Sequence, residues 1–126
     1  MILGRFTLAM LLFAAPAMWA QYSRSDMTKL AADRFSTASK TLNLSPAQAA
    51  QIQPLIETKY VYLGQIKDVY RASDKSSTAK KTAKDSIKSV NDKYNAKITA
   101  VLNPEQAKDW KRLQHDWKGD VTMPKS

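Results

Sequence analysis

The sequence predicts an all-α fold of four helices, two of them long, in an elongated thin bundle. Three observations carry that expectation. From Asp26 onward the apolar residues recur at steps of three and four. No stretch sustains the apolar/polar alternation of a half-buried strand. Two helix-starting segments, at 44–49 and 102–107, repeat each other fifty-eight positions apart.

The first helix is predicted over 26–41, with Met27, Leu30, Ala31, Arg34, Phe35 and Ala38 on one side, Ser25 or Asp26 as cap, and Leu42-Asn43-Leu44 as its end. The second is predicted over 46–72. Ile52, Leu55, Ile56, Tyr60, Tyr62, Leu63 and Ile66 cover about half its circumference, which is wider than one partner helix needs. It therefore touches two neighbours or keeps apolar surface for another use. Lys59 falls inside that apolar sector, where it either snorkels or marks an opening in the core. Pro54 removes a helical hydrogen bond to Ala50, so a kink or a break is expected there. The polar tract 72–78 reads as a loop. A third helix follows over 76–102, through Ala83, Ile87, Val90, Tyr94 and Ile98, and a fourth over 104–118, through Ala107, Trp110, Leu113 and Trp117. Gly119 is expected to stop it, leaving 120–126 loose.

The N-terminal twenty residues have another character. Arg5, an apolar run over 6–15, Pro16 and then small residues form the pattern of a cleavable export signal, with cleavage after Ala17 or Ala20. The run of about 14 apolar residues is shorter than the ~20 that span a bilayer, so no stable membrane anchor is expected after cleavage. The chain after Ala20 has 106 residues and a formal charge of +8, once Arg5 is taken from the +9 of the whole.

Composition narrows the chemistry. With no Cys there is no disulfide and no thiolate nucleophile or ligand, and a single His, His115, builds no multi-histidine metal site. The carboxylates show no acid/base spacing and three Gly leave no glycine-rich phosphate loop, so neither an enzyme, a cofactor nor a metal is expected. Charge is uneven. Between Lys67 and Lys97 nine Lys or Arg face four Asp. On the third helix Lys81, Lys84 and Lys88 fall on one flank of the apolar stripe, Lys93 and Lys97 on the other. Such a field speeds capture of acidic or unfolded chains, which neighbouring apolar groups then hold. Export separates the protein from nucleic acid, which the charge alone would bind weakly.

The repeat is the most specific feature. Leu44-Ser45-Pro46-Ala47-Gln48 matches Leu102-Asn103-Pro104-Glu105-Gln106. Ser45 and Asn103 are cap residues, Pro46 and Pro104 take the first helical position where a missing N–H costs nothing, and Gln48 and Gln106 can reach back to the cap. Leu44 and Leu102 are placed to staple onto the following turn.

In these motifs, its helix count and its basic balance, the chain resembles the Spy/CpxP family of exported helical proteins, named for two LTxxQ motifs. Ser45 and Asn103 stand where the family has Thr, each keeping a capping side chain. The resemblance implies a thin, curved, helical homodimer in the periplasm that shields unfolded clients in envelope stress without ATP. On that reading Ile52, Ile56, Leu63, Ile66 and Tyr70 join the five lysines as the client surface. The alternatives are a regulatory adaptor that docks the periplasmic domain of a stress-sensor kinase, and a metal-responsive protein.

Overall fold

The computed structural model describes residues 17–123, with side-chain surroundings from Asp26 onward. Four helices account for most of it: α1 Ala17–Thr41, α2 Pro46–Ala72, α3 Ser77–Thr99 and α4 Pro104–Asp116, followed by a 3-10 turn, Lys118–Val121. No strand occurs among the described residues. The fold is all-α.

α1 starts nine residues before the predicted helix, since residues 17–25 hold neither Pro nor Gly to break it. It runs through the Ala20–Gln21 junction. Of the predicted signal, residues 1–16 lie outside the described residues. α1 ends in a Schellman motif: Asn43 takes φ 51°, its N–H donates to the Lys40 carbonyl and that of Leu44 to the Ser39 carbonyl. Asn tolerates this left-handed position better than most side chains.

The four-residue connection brings α2 back against α1. Gly64 leaves room for the Met27 side chain of α1, because a Cβ there would stand 2.7 Å from Met27 Cγ. α2 is a continuous helix through Pro54, and both Pro54 and Ala50 are exposed, so the freed carbonyl stays beside solvent. At 27 residues it is about 40 Å long. It packs against both α1 and α3, which accounts for its wide apolar sector.

Between α2 and α3, Ser73 Oγ accepts from the Lys75 N–H, Asp74 Oδ1 from the Ser76 N–H, and Ser76 Oγ caps α3 by accepting from the Ala79 N–H. α3 stops at Thr99, three residues earlier than predicted, because residues 100–102 tighten into turns closed by Val101 to Ile98 and Leu102 to Thr99. α4 then runs alongside α2 in the same direction: Gln106 meets Gln48 near its start and Gln114 meets Lys59 further on.

One apolar core joins all four helices. Ala31, Ala38 and Leu42 of α1, Ile52, Ile56, Tyr60 and Leu63 of α2, Ile87 and Ile98 of α3, and Trp110, Leu113 and Trp117 at α4 form a single cluster. Trp110 and Trp117 meet edge to face with centroids 5.9 Å apart.

The C-terminal expectation is corrected. α4 ends at Asp116 rather than at Lys118, and Asp120, expected in a loose tail, sits in a 3-10 turn and is held by Arg34 and Lys67. Burial of Trp117 turns the chain early, and Asp120 is then drawn onto α1 and α2. Residues 124–126 lie outside the described residues.

Candidate functional site

Both repeated motifs form full capping boxes. Ser45 Oγ accepts from the Gln48 N–H while Gln48 Oε1 accepts from the Ser45 N–H, and Asn103 and Gln106 do the same. The two boxes are also joined to each other. Gln48 Nε2 donates to Gln106 Oε1 at 2.8 Å and Gln106 Nε2 donates back to Gln48 Oε1 at 3.0 Å. The remaining amide hydrogens reach across to the Val101 and Leu42 carbonyls. Every donor and acceptor lobe of the two amides is occupied, a requirement that Gln meets and Glu, which has no donor, does not. Leu44 and Leu102 are half-buried against the core beside their boxes.

A second cluster gathers around Asp120. Arg34 Nε donates to Oδ2 at 2.8 Å and Nη2 to Oδ1 at 3.1 Å, a two-pronged pair, and the Tyr60 hydroxyl donates to Oδ2 at 2.6 Å. Lys67 Nζ donates to the Asp120 carbonyl at 2.7 Å, and the Arg34 guanidinium lies over the Trp117 ring at 5.0 Å. Burial pushes the Asp120 carboxyl up, but the hydrogen bonds from Arg34 and Tyr60 with the charges of Arg34 and Lys67 outweigh it and hold it below the usual range. Burial and the same carboxylate push the Tyr60 hydroxyl well above its ordinary value.

The third cluster surrounds Lys59, which is 1% exposed. Its Nζ donates to Gln114 Oε1 at 2.8 Å and to Asn95 Oδ1 at 3.3 Å, and lies near the Tyr60 and Trp110 rings. Its partners are all neutral, so burial pushes the ammonium pKa down to about 8, with the Asp120 field opposing.

The client-surface candidates separate. Ile52, Ile56 and Leu63 are 1%, 0% and 0% exposed, so these three belong to the core and not to a binding surface. Tyr70 is buried but edges a groove between the last turns of α2 and the first of α3. That groove, about 470 Å³, is lined by Ile66, Val69, Tyr70, Ala79 and Ala83 with a few hydroxyl and amide groups and no charge. Val69 is 72% exposed, the one large apolar side chain so placed among the described residues. The five lysines of α3 are exposed. Lys81 and Lys88 pair with Asp85 and Asp92 one turn on, while Lys93 and Lys97 lie over the Tyr94 ring. Lys84 and Lys88 also edge a cavity of about 360 Å³ shared with Val121 and Met123.

Sequence reasoning noticed Lys59 but missed Arg34, Lys67 and Asp120 as a unit. The signal for the two cations was present, since both occupy positions on the buried sides of α1 and α2. Asp120 carried none, lying beyond Gly119 in a segment without periodicity.

Among the described residues no group of three or more His, Cys, Asp or Glu could hold a metal, and no helix is long and apolar enough to cross a membrane. Comparison of the chain with protein-family models, curated proteins and solved structures finds no match.

Proposed function

We propose that the protein is an exported, periplasmic holder of unfolded chains that acts without ATP, a chaperone of the kind the Spy/CpxP resemblance implies. The observation that carries this reading is the uncharged α2–α3 groove with exposed Val69, on a helix α3 that carries five exposed lysines along its two flanks. An unfolded segment offers what such a surface takes up: apolar side chains for the groove and carboxylates for the lysines of α3. The exposed pairs Lys81–Asp85 and Lys88–Asp92 are screened by solvent and contribute little, so the lysines exchange partners readily. Charge then sets the rate of encounter and the groove sets the residence time. Relative to the sequence reading, the surface loses Ile52, Ile56 and Leu63 and gains Val69, Ala79 and Ala83.

The test is light scattering from a chemically unfolded client diluted without ATP at low and high salt. Suppression near stoichiometric ratio, weaker in high salt, is the expected result. Changing Lys81, Lys84, Lys88, Lys93 and Lys97 together to Gln slows capture about tenfold and flattens its salt dependence, and Val69→Asp speeds release. If several unrelated clients aggregate unhindered, the protein is not a general holder. A saturable complex with a single sensor's periplasmic domain would then make it a regulatory adaptor.

A further inference from the structure

The segment after α4 lies on the helices as a bound peptide would. Buried Trp117 anchors the end of α4, and beyond it Lys118 and Gly119 are exposed, with nothing within 4 Å of where a Cβ on Gly119 would stand. The residues that follow touch three helices. Arg34 of α1 donates twice to the Asp120 carboxylate, at 2.8 and 3.1 Å, and the Tyr60 hydroxyl of α2 donates to it at 2.6 Å. Lys67 Nζ of α2 donates to the Asp120 carbonyl at 2.7 Å. Val121 and Met123 are half-buried against the core and share with Ile87, Lys84, Lys88 and Asn91 of α3 a cleft of about 360 Å³. The polar half of this contact is complete: a two-pronged guanidinium and a hydroxyl converge on one carboxylate, which is how an acid is recognised. The apolar half is underfilled. A well-packed interior leaves few voids larger than a water, yet here an open cleft remains between the tail and α3 that Val121 and Met123 do not occupy.

From this receptor for one carboxylate beside an underfilled apolar cleft, we propose that residues 120–123 occupy in cis a binding site for extended segments of other chains, and that such a segment exchanges with the tail. The ligand is a peptide with a carboxylate followed, one and three positions on, by apolar side chains larger than those of Val121 and Met123. Its acid takes the place of Asp120 on Arg34 and Tyr60, and its apolar groups enter the cleft along Ile87. Lys84 and Lys88, exposed at the edge, meet any further carboxylate. The tail competes by proximity. A short tether holds a group at an effective concentration on the order of millimolar, so exchange selects ligands that fill the cleft better than the tail does. The site shares no residue with the α2–α3 groove, so it stands or falls separately from the chaperone reading.

The test is an NMR titration of the full chain that follows the Arg34 Nε–H resonance, identified by its loss in Arg34→Lys. The probe is a peptide blocked at both ends, Gly-Asp-Leu-Thr-Phe, compared with the tail's own sequence, Gly-Asp-Val-Thr-Met, and with Gly-Asn-Leu-Thr-Phe. The probe shifts the resonance of Asp120→Asn with a saturating curve and binds that variant at least about tenfold more tightly than the wild type, in which the tail competes. The tail's own sequence binds Asp120→Asn several-fold more weakly than the probe, and the Asn peptide about tenfold more weakly. Val121→Ser with Met123→Ser keeps the Asp120 contacts, loosens the apolar half and raises affinity for the probe several-fold, which keeps the test open should Asp120→Asn fail to fold. Equal affinity of the wild type and both variants, equal affinity of the Asp and Asn peptides, or no saturable shift with any probe overturns the proposal. Suppression of client aggregation is read separately by light scattering, so peptide exchange without suppression supports the site and removes the holder.

Discussion

Lys59 is the residue whose environment departs furthest from what its chemistry prefers. Holding a buried ammonium near pKa 8 against an ordinary 10.5 costs on the order of 3 kcal/mol at neutral pH. The sign of its pH effect follows from proton counts. Between pH 8 and 10 the unfolded chain keeps the Lys59 proton and the folded chain has released it, so stability rises with pH. Lys67, whose pKa burial also lowers, adds to the same slope. Urea midpoints of the wild type are therefore expected to climb from pH 8 to 10, and Lys59→Met to be more stable at pH 7 with most of the climb gone. A wild-type midpoint that stays level or falls over that window would show that Lys59 is solvated. Lys59 was visible in the sequence as a charge within an apolar sector. Its partners were not, because Asn95 and Gln114 lie 36 and 55 positions away and polar residues on exposed-looking faces carry no sign of where they point.

At the scale of elements, what was legible was local. The helix starts at Pro46 and Pro104 and the capping boxes around them depend on contacts three residues apart, so composition and spacing reveal them. The Gln48–Gln106 pairing is tertiary and was invisible, although the repeat contained both partners. The repeated Gln therefore has two tasks, each box closing its own helix start and each amide holding the other box. An alanine cycle separates them. Independent boxes make the costs of Gln48→Ala and Gln106→Ala additive in the double variant. The paired arrangement makes each single change leave the other amide short of partners, so the double variant loses about 1–2 kcal/mol less than the sum. Coupling within error of zero in chemical denaturation would reduce the motif to two separate caps. The ends of α1 and α4 were misjudged for the converse reason: α1 continues upstream with no local stop, and α4 is cut short by tertiary capture of Trp117 and Asp120.

For the whole molecule, the decisive feature is that the last described segment closes the fold. Asp120 receives Arg34 from α1 and Tyr60 from α2 on its carboxylate and Lys67 from α2 on its carbonyl, one turn after Trp117, so this one residue ties α1 and the last described segment to α2. In a protein with no disulfide, a clamp of this kind is what links distant segments covalent chemistry leaves free. Removing the carboxylate leaves the part-buried donors of Arg34 and Tyr60 without their acceptor, which costs about 1–3 kcal/mol. Asp120→Asn keeps the shape and loses the charge, so it is expected near the lower end, with amide exchange speeding up in α1 ahead of α3. The acid response carries the same signature. A carboxyl held below its ordinary value of about 3.8 contributes stability that is present above that pH and is lost as pH falls through the folded-state value. The stability gap between wild type and Asp120→Asn should therefore be constant from pH 7 to 5 and narrow steadily below pH 4, whatever the other carboxyls do, since they titrate in both proteins. A gap that stays constant down to pH 2.5 would mean that Asp120 acts through shape alone and that the positive charges around it are held by solvent.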